Sequence, residues 1–187
     1  MSELEGGMPF QIIPSVLELR NLERALNAET ELVLLSNTHI GNLAAFSKRA
    51  QSYGKNVMVT LESIGGFKPD SPGMQLLRNQ FGVTGVFSSS RAALARAKRA
   101  GLLTFYRISL LDSKSVKNAL AVLKDSDYDG IELLPSPVAL HFIDLFLDVT
   151  QSNEVLAGGF VRHDNVRALQ EAGFTGVTTS DANLWPK

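Results

Sequence analysis

Two short segments near the end of the sequence combine glycines and hydroxyl side chains in a way that suits a bound anion. They are Leu156–Arg162 (LAGGFVR) and Val177–Asp181 (VTTSD). Glycines let a backbone approach an anion closely, and the free N–H groups of a helix start, expected here near His163 or Asp164, supply donors and a favourable dipole. A Gly-Gly pair alone more often marks a tight turn, so the argument depends on the two segments together. The predicted phosphate-binding residues are Gly158, Gly159, Thr179 and Ser180.

Three charged residues stand within or just after apolar runs. Arg107 follows the run Leu102–Tyr106 (LLTFY), where a charge must be paired or used. It either belongs to a structural arginine–carboxylate network or contacts a ligand, and the sequence leaves both interpretations open. Glu132 lies within IELLP, which favours a structural or ligand-hydroxyl role over catalysis. Glu62 either accepts hydrogen bonds from ligand hydroxyls or is a solvated loop acid.

The sequence lacks the residues that common catalytic and metal sites need. It contains no cysteine, and its three histidines are scattered without metal-ligand spacing. His39 is either a helix-start residue or a ligand contact, and Asp112 directly precedes a helical pattern as an N-cap would. No nucleophile–base motif is recognisable. We therefore predict no catalytic residues, no metal and no cofactor.

One dense basic run, Arg91–Arg99 (RAALARAKR), stands out in a nearly neutral chain. The formal net charge is −1 and the pI is near 6.3, whereas binding to a phosphate backbone normally needs a basic surface. Charge runs are usually solvated helix faces, and that is the simpler interpretation. The alternative is a local RNA contact. Its candidate residues are Arg91, Arg96, Lys98 and Arg99.

The elements that must position these residues alternate between β-rich runs and amphipathic helical patterns. Several runs are almost continuously apolar, such as VMVTL and IELL, which is typical of parallel strands covered on both faces. Eight strands in strict β-then-α order favour an α/β fold, a closed TIM-like (β/α) barrel, over an open sheet. The predicted strands are Gln11–Pro14, Glu31–Leu35, Val57–Glu62, Gly85–Phe87, Leu102–Ile108, Gly130–Leu134, Glu154–Ala157 and Gly176–Thr179.

The chain has 187 residues, fewer than the roughly 250 that are usual for such a barrel, so some elements must be short. Phe67–Gln80 contains two prolines and a glycine, which predicts a short or irregular third helix. Too few residues follow the eighth strand for a full final helix. We expect one compact barrel domain over residues 9–187, with residues 1–8 as a flexible tail. Barrels of this kind bind phosphates at the loops after strands seven and eight, where the two glycine and hydroxyl segments fall.

Composition indicates an ordinary globular protein. Hydrophobic residues make up 44% of the chain and charged residues 20%. No apolar run approaches the ~20 residues that span a bilayer. Met1–Met8 lacks the basic start and the apolar stretch of a signal peptide. We expect a cytoplasmic protein without a membrane partner.

In their order along the chain, several motifs resemble the glycerol-3-phosphate-responsive antiterminator family. The matching pieces are RISLLDS, IELLP, AGGFVR and VTTS, closed by Leu184-Trp185, and the similarity runs from about Ile12 to Trp185. The resemblance implies a TIM-like barrel that binds glycerol 3-phosphate and acts on leader mRNA, where it prevents transcription termination upstream of glycerol-utilisation genes. It also implies that the glycine and hydroxyl residues named above hold the phosphate, with Arg107, Glu132 and Glu62 near the ligand.

The sequence departs from the family at three places. Relatives often carry an aspartate after strand two, close to the position of Thr38. In strand three, Thr60 replaces the common histidine, and the following acid is Glu62 rather than aspartate. After strand four, relatives often have a threonine followed by a basic residue, where this chain has Ser89–Arg91 (SSR). These departures leave the details of the ligand open.

Three functions are compatible with the sequence. The first is an RNA-binding regulator that responds to glycerol 3-phosphate. The second is an enzyme that acts on a phosphorylated three-carbon compound, with Glu62, Asp112 or Glu132 as acid or base. The third is a metabolite-binding protein with a protein partner. The sequence does not indicate an oligomeric state.

Overall fold

Eight parallel strands form the inner wall of the protein, which a computed structural model describes over residues 10–187. Every strand contains at least three buried residues, because parallel strands are covered on both faces. The strands are β1 (Gln11–Val16), β2 (Leu32–Leu35), β3 (Asn56–Thr60), β4 (Gly85–Ser88), β5 (Leu103–Ser109), β6 (Gly130–Leu134), β7 (Glu154–Gly158) and β8 (Gly176–Thr179).

The strands close into a barrel in chain order. Each strand pairs in parallel with the next, and β8 pairs with β1 from Gln11↔Gly176 to Pro14↔Thr179. The predicted TIM-like barrel is confirmed, and no strand boundary differs from its prediction by more than two residues. Residues 1–8, predicted to be a flexible tail, lie outside the described part of the chain.

Between residues 10 and 187, seven α-helices surround the strands. The third covers nine residues and is short, as predicted, but regular: Pro72 stands in its first turn, and the side chain of Asp70 accepts from the backbone N–H of Gly73. No helix follows β8. Within residues 10–187, no helix has the length and apolar character to cross a membrane. The helices are α1 (Leu22–Leu26), α2 (Ile40–Ser52), α3 (Ser71–Asn79), α4 (Arg91–Arg99), α5 (Ser113–Leu123), α6 (Ser136–Leu147) and α7 (Val166–Glu171).

The barrel interior is apolar in its middle and polar toward the carboxyl ends of the strands. Side chains alternate between the two faces of a strand, so the inward positions recur every second residue. The apolar layer contains Phe87 and Phe105, whose rings stack at 4.6 Å. Two positions further along each strand, the inward residues become small or polar. They include Ser15, Ser36, Thr60, Arg107, Glu132, Gly158 and Thr178.

The chain leaves the barrel wall earlier after β3 than the sequence predicts. β3 ends at Thr60, and Leu61–Ser63 form a 3₁₀ turn, so Glu62 lies in a loop instead of closing the strand. Directly after this turn, Ile64–Gly65 pair in parallel with Thr38–His39. This small second sheet fixes the loop that carries Glu62 beside the loop after β2.

Candidate functional site

A cavity of about 490 Å³ opens at the carboxyl ends of the strands. It is lined by residues of β1, β5, β6 and β8 and by residues of the loops after β1, β2, β3, β7 and β8, so segments far apart in sequence meet there. Gly159 and Ser180 line the same cavity, as expected for adjacent strands whose register joins Gly158 to Thr178. We call it the mouth cavity. Its polar and glycine lining residues include Ser15, Ser36, Arg107, Gly159, Thr179 and Ser180.

A buried carboxylate lies behind this cavity. Glu132 is fully buried; its Oε2 accepts from Nε of Arg107 at 2.5 Å, and its Oε1 accepts from the hydroxyl of Thr178. The two charged residues are direct neighbours across β5 and β6. Arg107 also lines the mouth cavity, and among residues 10–187 its remaining guanidinium N–H groups have no acceptor. One side of the Arg107 guanidinium makes the structural pair, and the other faces the cavity, so contact with a ligand stays a prediction.

Gly158, the last residue of β7, packs against this carboxylate and does not line the cavity. A Cβ at this position would stand 2.6 Å from Oε1 of Glu132 and 2.8 Å from the hydroxyl of Thr178. Only glycine leaves room for the buried network. The structure gives Gly158 a steric role in holding Glu132, one residue away from the surface where an anion would bind.

The loop after β7 turns sharply at two left-handed residues. Gly159 has φ = 65° and Phe160 has φ = 55°, and the Phe160 side chain is 76% exposed. Left-handed backbone is unfavourable for any residue with a Cβ. The backbone N–H of Phe160 has no acceptor within residues 10–187, and the same is true of the N–H of Ser180, which lines the same cavity. Two unpartnered donors thus flank the opening.

The predicted helix start after this loop was wrong by two to three residues. The helix begins at Val166 rather than near His163 or Asp164. The side chain of Asn165 accepts from the N–H of Arg162 and donates to the carbonyl of Phe160, so it closes a turn that the sequence pattern did not reveal. The donors available here are therefore the loop amides and not the amides of a helix terminus.

The loop after β8 is held from both sides. The hydroxyl of Thr179 accepts from the N–H of Asp181 at 3.1 Å, and its carbonyl accepts from Nε1 of Trp185 at 2.9 Å. Trp185 is buried among the apolar residues outside the barrel. Ser180, between these anchors, is exposed. The loop is thereby fixed while its tip stays accessible.

A second, wider cavity of about 810 Å³ borders the first and shares Leu17 and Ser63 with it. Glu62 lines this second cavity. Its Oε1 accepts from the hydroxyl of Ser88 at 2.6 Å and from the N–H of Ser89 at 2.8 Å. Desolvation alone would raise the pKa of Glu62, but these hydrogen bonds outweigh it and lower the pKa below its usual value. Glu62 is therefore an ionised acid tied to the loop after β4, next to the mouth cavity and outside its lining.

His39 and Asp112 both act at helix starts. Nδ1 of His39 accepts from the N–H of Gly41, and its ring also lines the second cavity. Asp112 accepts from the N–H of Ser115, whose hydroxyl in turn accepts from the N–H of Asp112. This is a capping box, as the position of Asp112 indicated.

The four candidate RNA contacts lie on α4, outside both cavities described above, and Arg91, Lys98 and Arg99 line a separate pocket between α4 and the segment Asp125–Tyr128. The buried residues of this helix are Ala93, Leu94 and Ala97, and the basic side chains stand on the remaining faces. Lys98 forms an ion pair with Asp127 at 2.7 Å. Arg91, the first residue of α4, belongs to the carboxyl-terminal end of the barrel, where the cavities also open.

Sequence reasoning missed two hydroxyls of the polar layer, those of Ser15 and Ser36, and singled out a third, that of Thr60, only as a departure from the family. The Ser15 and Ser36 hydroxyls are 2.7 Å apart and line the mouth cavity, whereas the buried Thr60 hydroxyl has no hydrogen-bond partner within residues 10–187. Each follows an inward apolar residue by two positions: Ser15 follows Ile13, for example. Period-two inspection of the strands would have identified them.

The fold and the site together define a (β/α) barrel with an open polar cavity at the carboxyl ends of its strands, backed by a buried glutamate paired with a half-buried arginine. In the part of the chain that the structure describes, no three histidine, aspartate or glutamate side chains are grouped as a metal ion would need. The chain belongs to the glycerol-3-phosphate responsive antiterminator family, whose model matches residues 12–185.

Known proteins resemble the chain over nearly its whole length. The crystal structure of the glycerol uptake operon antiterminator regulatory protein from Listeria monocytogenes is 28% identical, with a TM-score of 0.83 and 94% coverage of each chain. A glycerol uptake operon antiterminator-related protein from Thermotoga maritima is 23% identical, with a TM-score of 0.81, covering 95% of this chain and 99% of that one. The uncharacterized protein YgcP of Escherichia coli K12 is 22% identical over 93% of this chain and 91% of its own.

Proposed function

We propose that this protein binds glycerol 3-phosphate in the mouth cavity and, in that bound form, binds the leader mRNA of glycerol-utilisation genes in the cytoplasm and prevents transcription termination. The observation that carries the proposal is the convergence of the loops after β7 and β8 with Arg107 in one cavity. Family membership supports the choice of ligand. It also supports a regulatory role over a catalytic one.

The cavity offers the groups that a phosphate monoester needs. Backbone N–H donors of Phe160 and Ser180 and the free side of the Arg107 guanidinium would hold the phosphate. Arg107 is kept in place by Glu132, so little side-chain entropy remains to be lost on binding. The hydroxyls of Ser15 and Ser36 would accept from and donate to the glycerol hydroxyls.

Ligand control of RNA binding requires two states with different ligand affinity. The loops around the cavity belong to six strand ends, so a ligand that contacts several of them favours the state in which they lie close together. RNA binding would then depend on that state. This regulatory proposal predicts RNA affinity that rises with glycerol 3-phosphate and falls as salt increases.

A thermal-shift comparison tests the ligand. Glycerol 3-phosphate should raise the unfolding temperature far more than inorganic phosphate or glycerol does at the same concentration. Only the ester would contact both the phosphate donors and the serine hydroxyls of the cavity. Equal shifts for all three compounds, or none, would refute the assigned ligand.

A binding measurement tests the RNA step. Labelled transcript of a glycerol-operon leader from the same genome should bind more tightly with glycerol 3-phosphate present than without it. RNA binding that is absent at low salt, with ligand binding intact, would favour a metabolite-binding protein with a protein partner.

An enzyme acting on the same ester is the competing function. The contacts of Glu132 argue against it as an acid or base, because both of its carboxylate oxygens already accept hydrogen bonds inside the protein. Turnover of glycerol 3-phosphate that is lost in Glu132→Gln while binding is retained would instead support the enzyme.

A further inference from the structure

The near-neutral charge of the chain conceals two regions of opposite sign. Residues 40–124 contain thirteen lysines and arginines and three aspartates and glutamates, a formal charge of +10. Residues 125–187 contain three basic and ten acidic residues, a formal charge of −7. A net charge of −1 for the whole chain therefore says little about either surface.

The fold turns the basic region into one continuous face. Because the barrel is wound in chain order, residues 40–124 form one side of its wall, with α2, α3, α4 and α5 packed around β3, β4 and β5. These four helices, which we call the basic face, contain nine basic residues and no acidic one. The basic residues are Lys48, Arg49, Arg78, Arg91, Arg96, Lys98, Arg99, Lys114 and Lys117.

Most of this charge is not neutralised by neighbours. Within residues 10–187, two members of the basic face form ion pairs, Arg49 with Glu23 and Lys98 with Asp127. The other seven make no ion pair in that part of the chain, and all of them except the half-buried Arg96 are exposed. Unpaired cations on one surface attract a polyanion strongly and release its counterions on contact.

We propose that the basic face, extending from α2 to α5 well beyond the run in α4, is the surface that binds the RNA phosphate backbone. This inference rests on the RNA binding of the proposed function. It specifies that the RNA lies along the outer helices of one half of the barrel, with the cavity mouth at its edge.

The contacts of Glu62 connect that edge to the cavities. Glu62 accepts from the hydroxyl of Ser88 and from the N–H and hydroxyl of Ser89, and Ser90 caps α4 by accepting from the N–H of Ala93. Arg91 is the next residue and the first of the basic face in α4. A ligand that changes the position of the loop after β3 would therefore act on the start of the RNA-binding helix.

The other partner of matching charge is the acidic half of a second copy. Such a contact joins two different surfaces, so it generates open chains unless the rotation between copies closes a ring. A polynucleotide instead offers evenly spaced charges that can follow four adjacent helices. RNA is therefore the favoured occupant, and self-association is an outcome that the experiment must detect.

Two double variants with the same change in net charge test the surface. Arg99→Glu with Lys117→Glu reverses two exposed residues on α4 and α5, and Arg24→Glu with Arg167→Glu reverses two exposed residues outside the basic face. None of the four lines a ligand cavity at the mouth. The measurements are affinity for labelled leader RNA at several salt concentrations, the thermal shift with glycerol 3-phosphate, and sedimentation.

The RNA affinity of the basic-face variant should fall roughly tenfold or more at ~0.1 M salt. In a plot of the logarithm of the binding constant against the logarithm of the salt concentration, its slope should be shallower by about 1.4–1.8. The control should bind RNA like the wild type, and both variants should keep the ligand-induced thermal shift. Equal losses of RNA affinity in both variants, or no loss in either, would refute the basic face as the RNA-binding surface and leave the proposed function intact. Wild-type protein that binds no RNA would overturn both, and loss of self-association in the basic-face variant would then identify a second copy as the partner.

Discussion

Nε of Arg107 lies 2.5 Å from Oε2 of Glu132, across two neighbouring strands and inside the polar layer of the barrel. Glu132 is fully buried, whereas the Arg107 side chain is 28% exposed at the cavity. The pair therefore joins the interior of the barrel to the ligand opening. It neutralises a buried carboxylate and fixes an arginine for use at the surface.

Arg107→Lys should separate the structural role of this arginine from its ligand role. A lysine can still pair with Glu132, so the free energy of unfolding should fall by no more than about 1–2 kcal/mol. The lysine lacks the second set of donors, and affinity for glycerol 3-phosphate should fall by about tenfold or more. Urea unfolding and calorimetric titration measure the two effects. Unchanged affinity would show that Arg107 is only structural. Arg167→Lys, on the surface of α7, is the matched control and should change neither measurement.

Gly158→Ala and Gly159→Ala should each lower the free energy of unfolding, for different reasons. At Gly158, the new methyl group collides with Glu132 and Thr178, and we expect a loss of about 3 kcal/mol from overpacking and from weakening the buried pair. At Gly159, the nearest atom would be 3.5 Å away, so the cost is only that of the left-handed backbone, about 1 kcal/mol. Unfolding free energies that come out equal, or in the reverse order, would contradict this assignment.

Phe160→Gly should stabilise the protein relative to Phe160→Ala. The residue has a positive φ, and its side chain is mostly in solvent, so the phenyl ring contributes little burial while any Cβ is strained. The expected difference between the two variants is about 1 kcal/mol in the free energy of unfolding. If alanine is as stable as glycine, the left-handed conformation is not the dominant cost at this position.

Glu62→Gln should lower stability near neutral pH and have little effect in acid. The pKa of Glu62 is lower in the folded protein than its usual value, so the ionised form is stabilised by folding. That contribution is present above the usual pKa of a glutamate and is lost as the pH falls through the lowered pKa. Chemical unfolding of both proteins from pH 7 down to about pH 3 should show the difference shrinking. In a Ser88→Ala background the difference should be smaller throughout, because one donor to the carboxylate is missing.

The strands were predictable because each is mostly apolar and is bounded by polar or glycine-containing segments, as in β6, whose bounds agree with the prediction although it contains Glu132. The end of β3 was not, since Leu61 continues the apolar run while the backbone of Leu61–Ser63 already turns. The late start of α7 depends on the side chain of Asn165, which bonds within its own loop and leaves no periodic signal.

The position of the candidate site was predictable from the sequence, but the contacts among its residues were not. Gly159 and Ser180 follow the last two strands, and barrel closure brings them together. The role of Gly158 could not be read from the sequence, because it arises from the distance to Glu132, a residue 26 positions earlier. The two charged regions were visible in the sequence but are averaged out in the net charge.

The chain contains one tryptophan, and its indole N–H is bonded to the carbonyl of Thr179. The emission of an indole depends on the polarity around it and on the partner of that N–H. Tryptophan fluorescence of the unlabelled protein therefore comes from a single known place, directly beneath Ser180. Any compound that moves the loop after β8 will change that emission, so the protein carries its own optical probe for screening ligands.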